Sequence, residues 1–391
     1  MKISGNSENM QCRCADGAVS EEQYNAALRS LYGRFGYQPY KMSKFEEYDL
    51  YAGNKDFLIS DGIITFTDTD GRLMALKPDV TLSIIKNTDI VPGGTVKVFY
   101  SENVYRVPKG SETFREIVQT GLECIGRTDP YCIAEVIYLA AESLRAAGKE
   151  YVLDIGQLEL LDAAASKIST DPAVKNALMK CAAEKNRHGV DEITARNANA
   201  GAGAGAADVF KMLIGLYGRV DEALPQVRAA ARELGMQDSY DSLKEITDLL
   251  RASDGFDRFR IDFSAAAAGG GNYYNGIGFK GYVEGIPERV LSGGQYDRLV
   301  RRFHPDGEAI GFAVYLDTIE KYTAPDAGFD GDLLLLYPET APRDKVLEAV
   351  LKYTSKGMTV RAARAGAEDG LSGRFRRVAF IDPEGAVKDE L

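Results

Sequence analysis

One segment constrains the fold of this chain more than any other, residues 114–126, with the sequence FREIVQTGLECIG. Side chains alternate every two residues along a strand, so one face would carry Arg115, Ile117, Gln119, Gly121 and Glu123, and the other Glu116, Val118, Thr120, Leu122 and Cys124. The second face can pack on helices. The first carries a cation, an amide and a carboxylate, which fits either the floor of a polar pocket or a solvent-facing strand.

The segments around this strand predict an α+β fold, with helices packed on an antiparallel sheet. IITFT and RLMAL flank Asp70-Gly71, a strong hairpin signal. Residues 129–148 show helical periodicity and separate the polar strand from the strand YVLDIG. Near the start, Ser20 and Gln23 form a capping box, and Gly36 is a stop signal for the helix that follows.

Changes in composition divide the chain into regions. We predict a polar tail over 1–19, a main domain over 20–322 and a small α/β unit over 323–391. Within the main domain, residues from about 162 to 256 are Ala-rich and charged, which indicates an inserted helical subdomain. After this subdomain, strands are again predicted at FRIDF, GIGFKGYV and AIGFAV, with breaks between them at SAAAAGGG and SGGQYD.

Composition and charge exclude several classes of protein. A formal net charge of -11 is opposite to the basic footprint of proteins that neutralise nucleic-acid phosphates, so we do not expect tRNA as a partner. Five cysteines at irregular spacing, without a CxxC pair, indicate neither a disulfide framework nor a metal site. No apolar run approaches the 18 or more residues of a membrane span, so we expect a cytoplasmic protein without a membrane contact.

Six segments in order resemble those of the histidyl-tRNA synthetases, which are class II enzymes built on an antiparallel sheet. GYQPYKMSKFEEYDLY resembles motif 1, LKPDVT resembles LRPEGT, and NVYRVPKGSETFREIVQTGLECIG looks like motif 2. NYYNGIGFKGYV is similar to a histidine-specific signature, SGGQYDRL resembles GGRYDGL, and AIGFAVYLDTIE resembles motif 3. The resemblance covers roughly residues 20 to 322 and favours the polar pocket over the solvent-facing strand.

The resemblance implies a histidine-like ligand pocket lined by Asp79, Thr81, Arg106, Gln119, Glu123, Tyr274 and Tyr296. Arg106 matches the arginine that holds amino-acid and AMP oxygens, and guanidinium forks suit such groups. Glu123 matches the acceptor of a ring N–H, and Gln119 a residue that meets the ammonium.

The other members of this set have subsidiary roles by the same resemblance. Asp79 and Thr81 are the remaining ammonium-side positions, and Tyr274 is a ring-side tyrosine. Tyr296 lies in what we expect to be a glycine turn closing the pocket. A core or turn role is the alternative for both tyrosines.

The departures from the family concern ATP. Pro108 replaces the ATP-side glutamate of motif 2, and Ile117 replaces the aromatic residue that stacks on adenine. Thr318 stands where motif 3 ends in an arginine, and Gly269 replaces the histidine-specific arginine. Losing one preorganised donor already costs on the order of a hundredfold in rate, so we expect no adenylation, no catalytic residue of the chain's own and no cofactor.

A synthetase-like body without ATP chemistry resembles the regulatory subunits of ATP phosphoribosyltransferase, the first enzyme of histidine biosynthesis. The resemblance implies a short catalytic subunit as partner, histidine as effector and a homodimer within a hetero-oligomer. That subfamily usually retains an arginine at the position where this chain has Gly269, which implies weaker histidine sensing. An active histidyl-tRNA synthetase and a stand-alone amino-acid-binding paralog are the alternatives.

Overall fold

The computed structural model describes residues 21–54, 57, 62–91, 93–107, 113–197, 204–267, 273–323, 329–366 and 373–390. The expected capping residue Ser20 and two of the replaced ATP-side positions, Pro108 and Gly269, lie outside these ranges. The chain forms two compact units, residues 1–323 and 324–391. Within the described ranges, none of the helices has both the length and the apolar character needed to cross a membrane.

The first unit is organised around a nine-stranded sheet with the order β1-β5-β6-β12-β11-β10-β7-β9-β8. Its strands are β1 (Gln38–Pro39), β5 (Thr95–Arg106), β6 (Arg115–Gly126), β7 (Tyr151–Gln157), β8 (Tyr217–Arg219), β9 (Phe259–Asp262), β10 (Ile277–Val283), β11 (Leu291–Gln295) and β12 (Glu308–Tyr315). Most neighbours are antiparallel, whereas β1 runs parallel to β5 and β9 parallel to β7. A smaller sheet contains β2 (Phe45–Glu47), β3 (Thr65–Thr67) and β4 (Leu73–Leu76).

Helices of the first unit pack on the large sheet and on one another. They are α1 (Glu21–Arg34), α2 (Tyr48–Ala52), α3 (Thr81–Lys86), α4 (Pro130–Arg145), α5 (Leu158–Ile168), α6 (Pro172–Ala183), α7 (Arg187–Arg196), α8 (Ala204–Gly215), α9 (Val220–Leu234), α10 (Gln237–Leu250), α11 (Phe263–Ala267), α12 (Asp297–Val300) and α13 (Leu316–Thr323). A 3-10 turn spans Phe256–Arg258. The mixture of helices and a large, mainly antiparallel sheet confirms the predicted α+β class.

Local signals account for two of these elements. Asp129 caps α4, because its carboxylate accepts a 2.8 Å hydrogen bond from the Cys132 amide, and Pro130 occupies the first turn where no donor is needed. The predicted hairpin joins β3 to β4, and Gly71 adopts a φ of 86°, a left-handed conformation that suits glycine. Leu122, on the apolar face of β6, is fully buried in the main core together with residues of α4.

The register of β6 with its neighbours positions the polar face. Glu123 lies opposite Val98 of β5 and Gly311 of β12, and Gln119 lies opposite Tyr315 of β12. Both polar side chains are buried, with exposed fractions of 2% for Glu123 and 3% for Gln119. The interpretation of β6 as a solvent-facing strand is therefore wrong for its C-terminal half, where Gln119 and Glu123 are buried and β5 and β12 flank the strand.

Two segments that were predicted to be breaks between strands belong to regular elements. The residues of SGGQ belong to β11, and SAAA lies in the short helix α11, so Tyr296 follows a strand instead of sitting in a glycine turn. The glycines of β11 meet close packing. A Cβ on Gly293 would lie 2.5 Å from the Gly311 carbonyl oxygen, and one on Gly294 would lie 2.7 Å from the Ile277 carbonyl oxygen.

The second unit is a four-stranded sheet with one helix. Its elements are β13 (Gly331–Tyr337), α14 (Arg343–Thr354), β14 (Val360–Arg364), β15 (Phe375–Ile381) and β16 (Val387–Glu390). The strand order is β14-β13-β15-β16, with parallel pairs around β13 and an antiparallel edge at β16. Val346 and Ala349 of α14 share a buried apolar cluster with Leu333 and Leu335.

Candidate ligand pocket

Glu123 is the centre of a buried group of polar side chains. Thr81, at the start of α3, donates its hydroxyl to Glu123 Oε1 at 2.7 Å. Tyr296 donates its hydroxyl to Oε2 at 2.5 Å. Both carboxylate oxygens therefore have a partner, but each partner is a neutral hydroxyl, and no described cation forms an ion pair with Glu123.

Glycines on the neighbouring strands make room for these side chains. A Cβ on Gly311 would lie only 1.7 Å from Glu123 Oε2, a distance that no real contact allows. A Cβ on Gly121 would lie 2.6 Å from the Tyr100 hydroxyl oxygen, because the buried Tyr100 ring crosses the strand there. The carboxylate of Glu123 thus occupies a volume that an ordinary residue at position 311 would fill.

Arg106 connects Gln119 to the start of α3. Its Nε donates to the Pro78 carbonyl oxygen at 2.5 Å, and Nη2 donates to Gln119 Oε1 at 3.2 Å. Nη2 also lies 3.8 Å from Asp79 Oδ2, while Asp79 Oδ1 accepts the Leu82 amide at 3.0 Å. Arg106 is 8% exposed, so it is a buried structural cation and not part of a surface ion pair.

Burial dominates the electrostatics of the two carboxyl groups. Desolvation raises the pKa of Glu123 to about 8, against the hydrogen bonds from Tyr296 and Thr81, which lower it, and nearby Asp79 raises it further. Desolvation also raises the pKa of Asp79, partly offset by Arg106. Among the described side chains, the Arg106 guanidinium lies beside Asp79 and not beside Glu123, so an N–H donor or a positive charge placed next to Glu123 would favour its ionised form.

Three tyrosines enclose the Glu123 side of the pocket. The Tyr273 ring lies 4.9 Å from the Tyr274 ring, at an interplanar angle of 76°, and 6.0 Å from the Tyr296 ring. A Cβ on Gly294 would approach Tyr274 Cδ1 to 2.8 Å, so β11 touches this ring closely. Aromatic rings with polar tips suit a planar ligand that also forms hydrogen bonds.

The structure brings together the positions that the resemblance singles out. We define the inner pocket as Asp79, Thr81, Arg106, Gln119, Glu123, Tyr274 and Tyr296, with Tyr273 added. The Thr81 hydroxyl contacts Glu123 directly. Tyr100, Tyr273 and Gly311 were missed from sequence. Tyr273 adjoins a chosen tyrosine, whereas Tyr100 and Gly311 become evident only through strand register.

The two replaced ATP-side positions that the structure describes, Ile117 and Thr318, lie outside the inner pocket. Ile117 packs at the edge of the apolar cluster that contains Val104 and Leu82. Thr318 is half-buried and lines a separate cavity of about 460 Å³, which we call the outer pocket. The outer pocket is lined by Tyr282, Pro287, Glu288, Arg289, Tyr315 and Thr318. Among the described residues, there is no cluster of His, Cys, Asp and Glu that could hold a metal ion.

Comparisons with known proteins agree with this fold. The ATP phosphoribosyltransferase regulatory subunit of Clostridium acetobutylicum is 27% identical over 344 residues, covering 84% of this chain and 82% of the relative. A Bacillus halodurans structure described as an ATP phosphoribosyltransferase regulatory subunit/histidyl-tRNA synthetase has a TM-score of 0.71 at 20% identity, covering 92% and 93%.

A chain of the ATP phosphoribosyltransferase complex of Thermotoga maritima has a TM-score of 0.57 at 17% identity, covering 76% of this chain and 97% of that one. The predicted resemblance to regulatory subunits and the class II synthetase-like fold are thereby confirmed. The sequence profile described as histidyl-tRNA synthetase matches residues 15–319. Because that match covers most of the sequence, the chain belongs to the histidyl-tRNA synthetase family.

Proposed function

We propose that this chain is a non-catalytic regulatory subunit of ATP phosphoribosyltransferase, acting at the first step of histidine biosynthesis. The observation that carries the proposal is the contrast between two parts of one fold. The inner pocket keeps a complete set of buried polar partners around Glu123, whereas Ile117 and Thr318 supply neither a ring nor a cation for ATP. Curated relatives named as regulatory subunits support the same function.

The proposed ligand of the inner pocket is histidine. An imidazole N–H would be accepted by Glu123, and an α-ammonium group suits the side of the pocket that holds Asp79 and Gln119. The α-carboxylate suits the guanidinium of Arg106, which forms forked hydrogen bonds. Tyr273 and Tyr274 would contact the imidazole ring.

Regulation then follows from thermodynamic linkage. A ligand that prefers one conformation of the assembly shifts the partner's equilibrium by the difference in its affinities for the two conformations. A coupling of about 1 to 3 kcal/mol is typical, so histidine would change the partner's substrate affinity by roughly 5- to 150-fold. We further propose a short catalytic subunit as partner, a homodimer within the hetero-oligomer and a cytoplasmic location.

Mixing the purified chain with a short ATP phosphoribosyltransferase catalytic subunit tests the proposal. Formation of phosphoribosyl-ATP is followed with and without histidine, and the mixture is analysed by sedimentation. We expect the two chains to co-sediment, the rate to rise and histidine to inhibit. Two chains that neither co-sediment nor change the rate would overturn the regulatory function and leave a stand-alone amino-acid-binding paralog.

A histidyl-tRNA synthetase is the second candidate, favoured by the family profile over residues 15–319. Histidine-dependent exchange of pyrophosphate into ATP separates the two functions, since a synthetase must form the adenylate. We expect exchange at the level of a control without protein, and exchange clearly above that level would favour the synthetase.

A further inference from the structure

Two cysteines lie against each other near the connection between β6 and α4. Cys124 is fully buried on the apolar face of β6, and Cys132 is half-buried in the first turn of α4, where it packs against the core cluster that contains Cys124. A hydrogen bond joins the two thiols, and neither is part of a disulfide. The two sulfurs are thus already in contact in the reduced protein.

A cation lies beside this pair of thiols. Lys97 of β5 is directly opposite Cys124 in the β5–β6 ladder, and directly paired residues project from the same face of a sheet. Its Nζ donates to Glu135 Oε1 at 2.6 Å, and Glu135 follows Cys132 by one turn of α4. The Lys97 ammonium therefore lies between the strand that holds Cys124 and the helix that holds Cys132. A thiolate formed on either sulfur has a positive charge nearby.

The surroundings give the two sulfurs different properties. The hydrogen bond from Cys124 lowers the pKa of Cys132, against burial and the Asp129 carboxylate, which raise it. The same contact, together with burial, raises the pKa of Cys124. The first turn of α4 also places Cys132 at the positive end of a helix dipole. Cys132 is therefore the sulfur that ionises first, and it is also the one that solvent reaches.

We propose that Cys132 and Cys124 form a reversible disulfide in response to hydrogen peroxide. The Cys132 thiolate attacks one peroxide oxygen, the O–O bond breaks, and the other oxygen leaves as hydroxide and is protonated to water. Cys132 is then a sulfenic acid. The Cys124 sulfur, as it loses its proton, displaces the hydroxyl group of that sulfenic acid, which leaves as a second water. Two thiols are oxidised to one disulfide, and one peroxide is reduced to two waters.

A bond of this kind would be a switch and not a permanent link. Disulfides of cytosolic proteins are usually transient, because the cytosol keeps thiols reduced. The new bond would tie β6, the strand that carries Glu123, to α4. A search for a CxxC pair does not detect the two cysteines, because they lie on different elements. The proposal rests on the thiol pair alone and does not depend on the regulatory function.

Oxidation of the full chain, followed by peptide mass spectrometry, tests the proposal. The reduced protein is treated with hydrogen peroxide, and its remaining thiols are blocked with N-ethylmaleimide. Trypsin cleaves after Arg127 and so places the two cysteines on different peptides. We expect a disulfide-linked pair of peptides that contains Cys124 and Cys132, and dithiothreitol should separate them again.

Two variants separate the two steps. In Cys124→Ala, oxidation should stop at the sulfenic acid of Cys132, which dimedone traps, and the linked peptides should be lost. In Cys132→Ser, both the linked peptides and the dimedone adduct at this position should be lost. Cys181→Ala is the matched control, because it removes a buried cysteine of α6 outside the pair and should form the disulfide like the unchanged protein. Circular dichroism establishes that each variant is folded.

Three results would each overturn the proposal. The first is the absence of the linked peptides at peroxide concentrations that leave the methionines unoxidised. The second is a preferred link to Cys181, Cys12 or Cys14. The third is oxidation of Cys132 to a sulfinic acid in the unchanged protein while Cys124 remains a free thiol.

The proposed regulatory function is tested in parallel on the same preparations, kept reduced. If the chain activates the catalytic subunit but forms no disulfide with peroxide, only the thiol-pair inference fails. If the disulfide forms but the reduced chain neither activates nor co-sediments with the catalytic subunit, only the regulatory function fails.

Discussion

The inner and outer pockets lie on the same unit and differ in how their polar groups are satisfied. In the inner pocket, Glu123, Arg106 and Gln119 are buried and bonded to one another or to close neighbours. In the outer pocket, Arg289 is exposed and has no described partner. A buried polar network is costly to alter, because each unpaired member retains its desolvation penalty. In an open pocket, by contrast, one surface substitution is enough to change the chemistry of the site.

The largest expected effect comes from filling the space that the inner pocket requires. In Gly311→Ala, the new methyl group would lie on the Glu123 carboxylate, so Glu123 or β12 must move. We expect histidine binding to be lost and the free energy of unfolding to fall by about 2 kcal/mol or more. Calorimetry and urea denaturation measure the two effects.

Gly33→Ala is the matched control for that substitution. Gly33 lies in α1 with no atom within 4 Å of an added Cβ, so this change should preserve binding and stabilise the helix slightly. Unaltered histidine binding by Gly311→Ala would show that Glu123 does not contact the ligand.

The next effect isolates the carboxylate. Measured above pH 8, where Glu123 is ionised, Glu123→Ala should weaken histidine binding by about 1.5 to 3 kcal/mol, or roughly 10- to 100-fold, since a charge-assisted hydrogen bond is lost. Glu116→Ala provides the control, because Glu116 lies on the same strand but is exposed and bonds to Asn103 and Tyr105. If calorimetry gives the same affinity for both variants, the inner pocket is not the histidine site.

Titration of Glu123 should appear in the pH dependence of stability. Its pKa rises from 4.5 to about 8 on folding, so the protonated group stabilises the native state fully below the unfolded pKa. That contribution is lost as the pH rises through 8, because the unfolded chain then binds fewer protons than the native one. Between about pH 7 and pH 8 the change should be about 1 kcal/mol.

Glu123→Gln keeps the shape of the side chain and removes its titration. Urea denaturation of both proteins across this range gives the difference, in which the exposed groups cancel. A difference that stays constant with pH would mean that Glu123 is already ionised in the native state.

Local patterns in the sequence predicted the elements better than the contacts. Two local signals were sufficient to predict an element each, because each signal lies within a few residues. Alternation through Gln119 and Glu123 predicted β6, and the Asp70-Gly71 turn predicted the hairpin. The glycines of β11 were misinterpreted as a turn, since the reason for them is close packing against the carbonyl oxygens of Gly311 and Ile277 on the two neighbouring strands. Strand β16, Val387–Glu390, was missed because it is a short edge strand with a polar sequence.

The sites show the same distinction. The inner-pocket residues came from motif segments, each recognisable by itself, and strand pairing brings the segments together. Arg289 lies outside any motif we recognised. It lines the outer pocket together with Tyr315 and Thr318, which follow it on β12 and α13. No local pattern reports that such residues face one cavity.

The smallest expected effect concerns restoration of the ATP side. Thr318→Arg puts a guanidinium back at the position where motif 3 of the synthetases has one, on the wall of the outer pocket. Ile117 still offers no aromatic face for adenine, and transition-state stabilisation depends on several preorganised groups acting together. We therefore expect histidine-dependent pyrophosphate exchange to remain at the level of a control without protein, both for the unchanged chain and for Thr318→Arg. An active histidyl-tRNA synthetase in the same assay establishes its sensitivity. Exchange by Thr318→Arg alone would mean that one cation separates this chain from catalysis, and exchange by the unchanged chain would remove the contrast between the two pockets altogether.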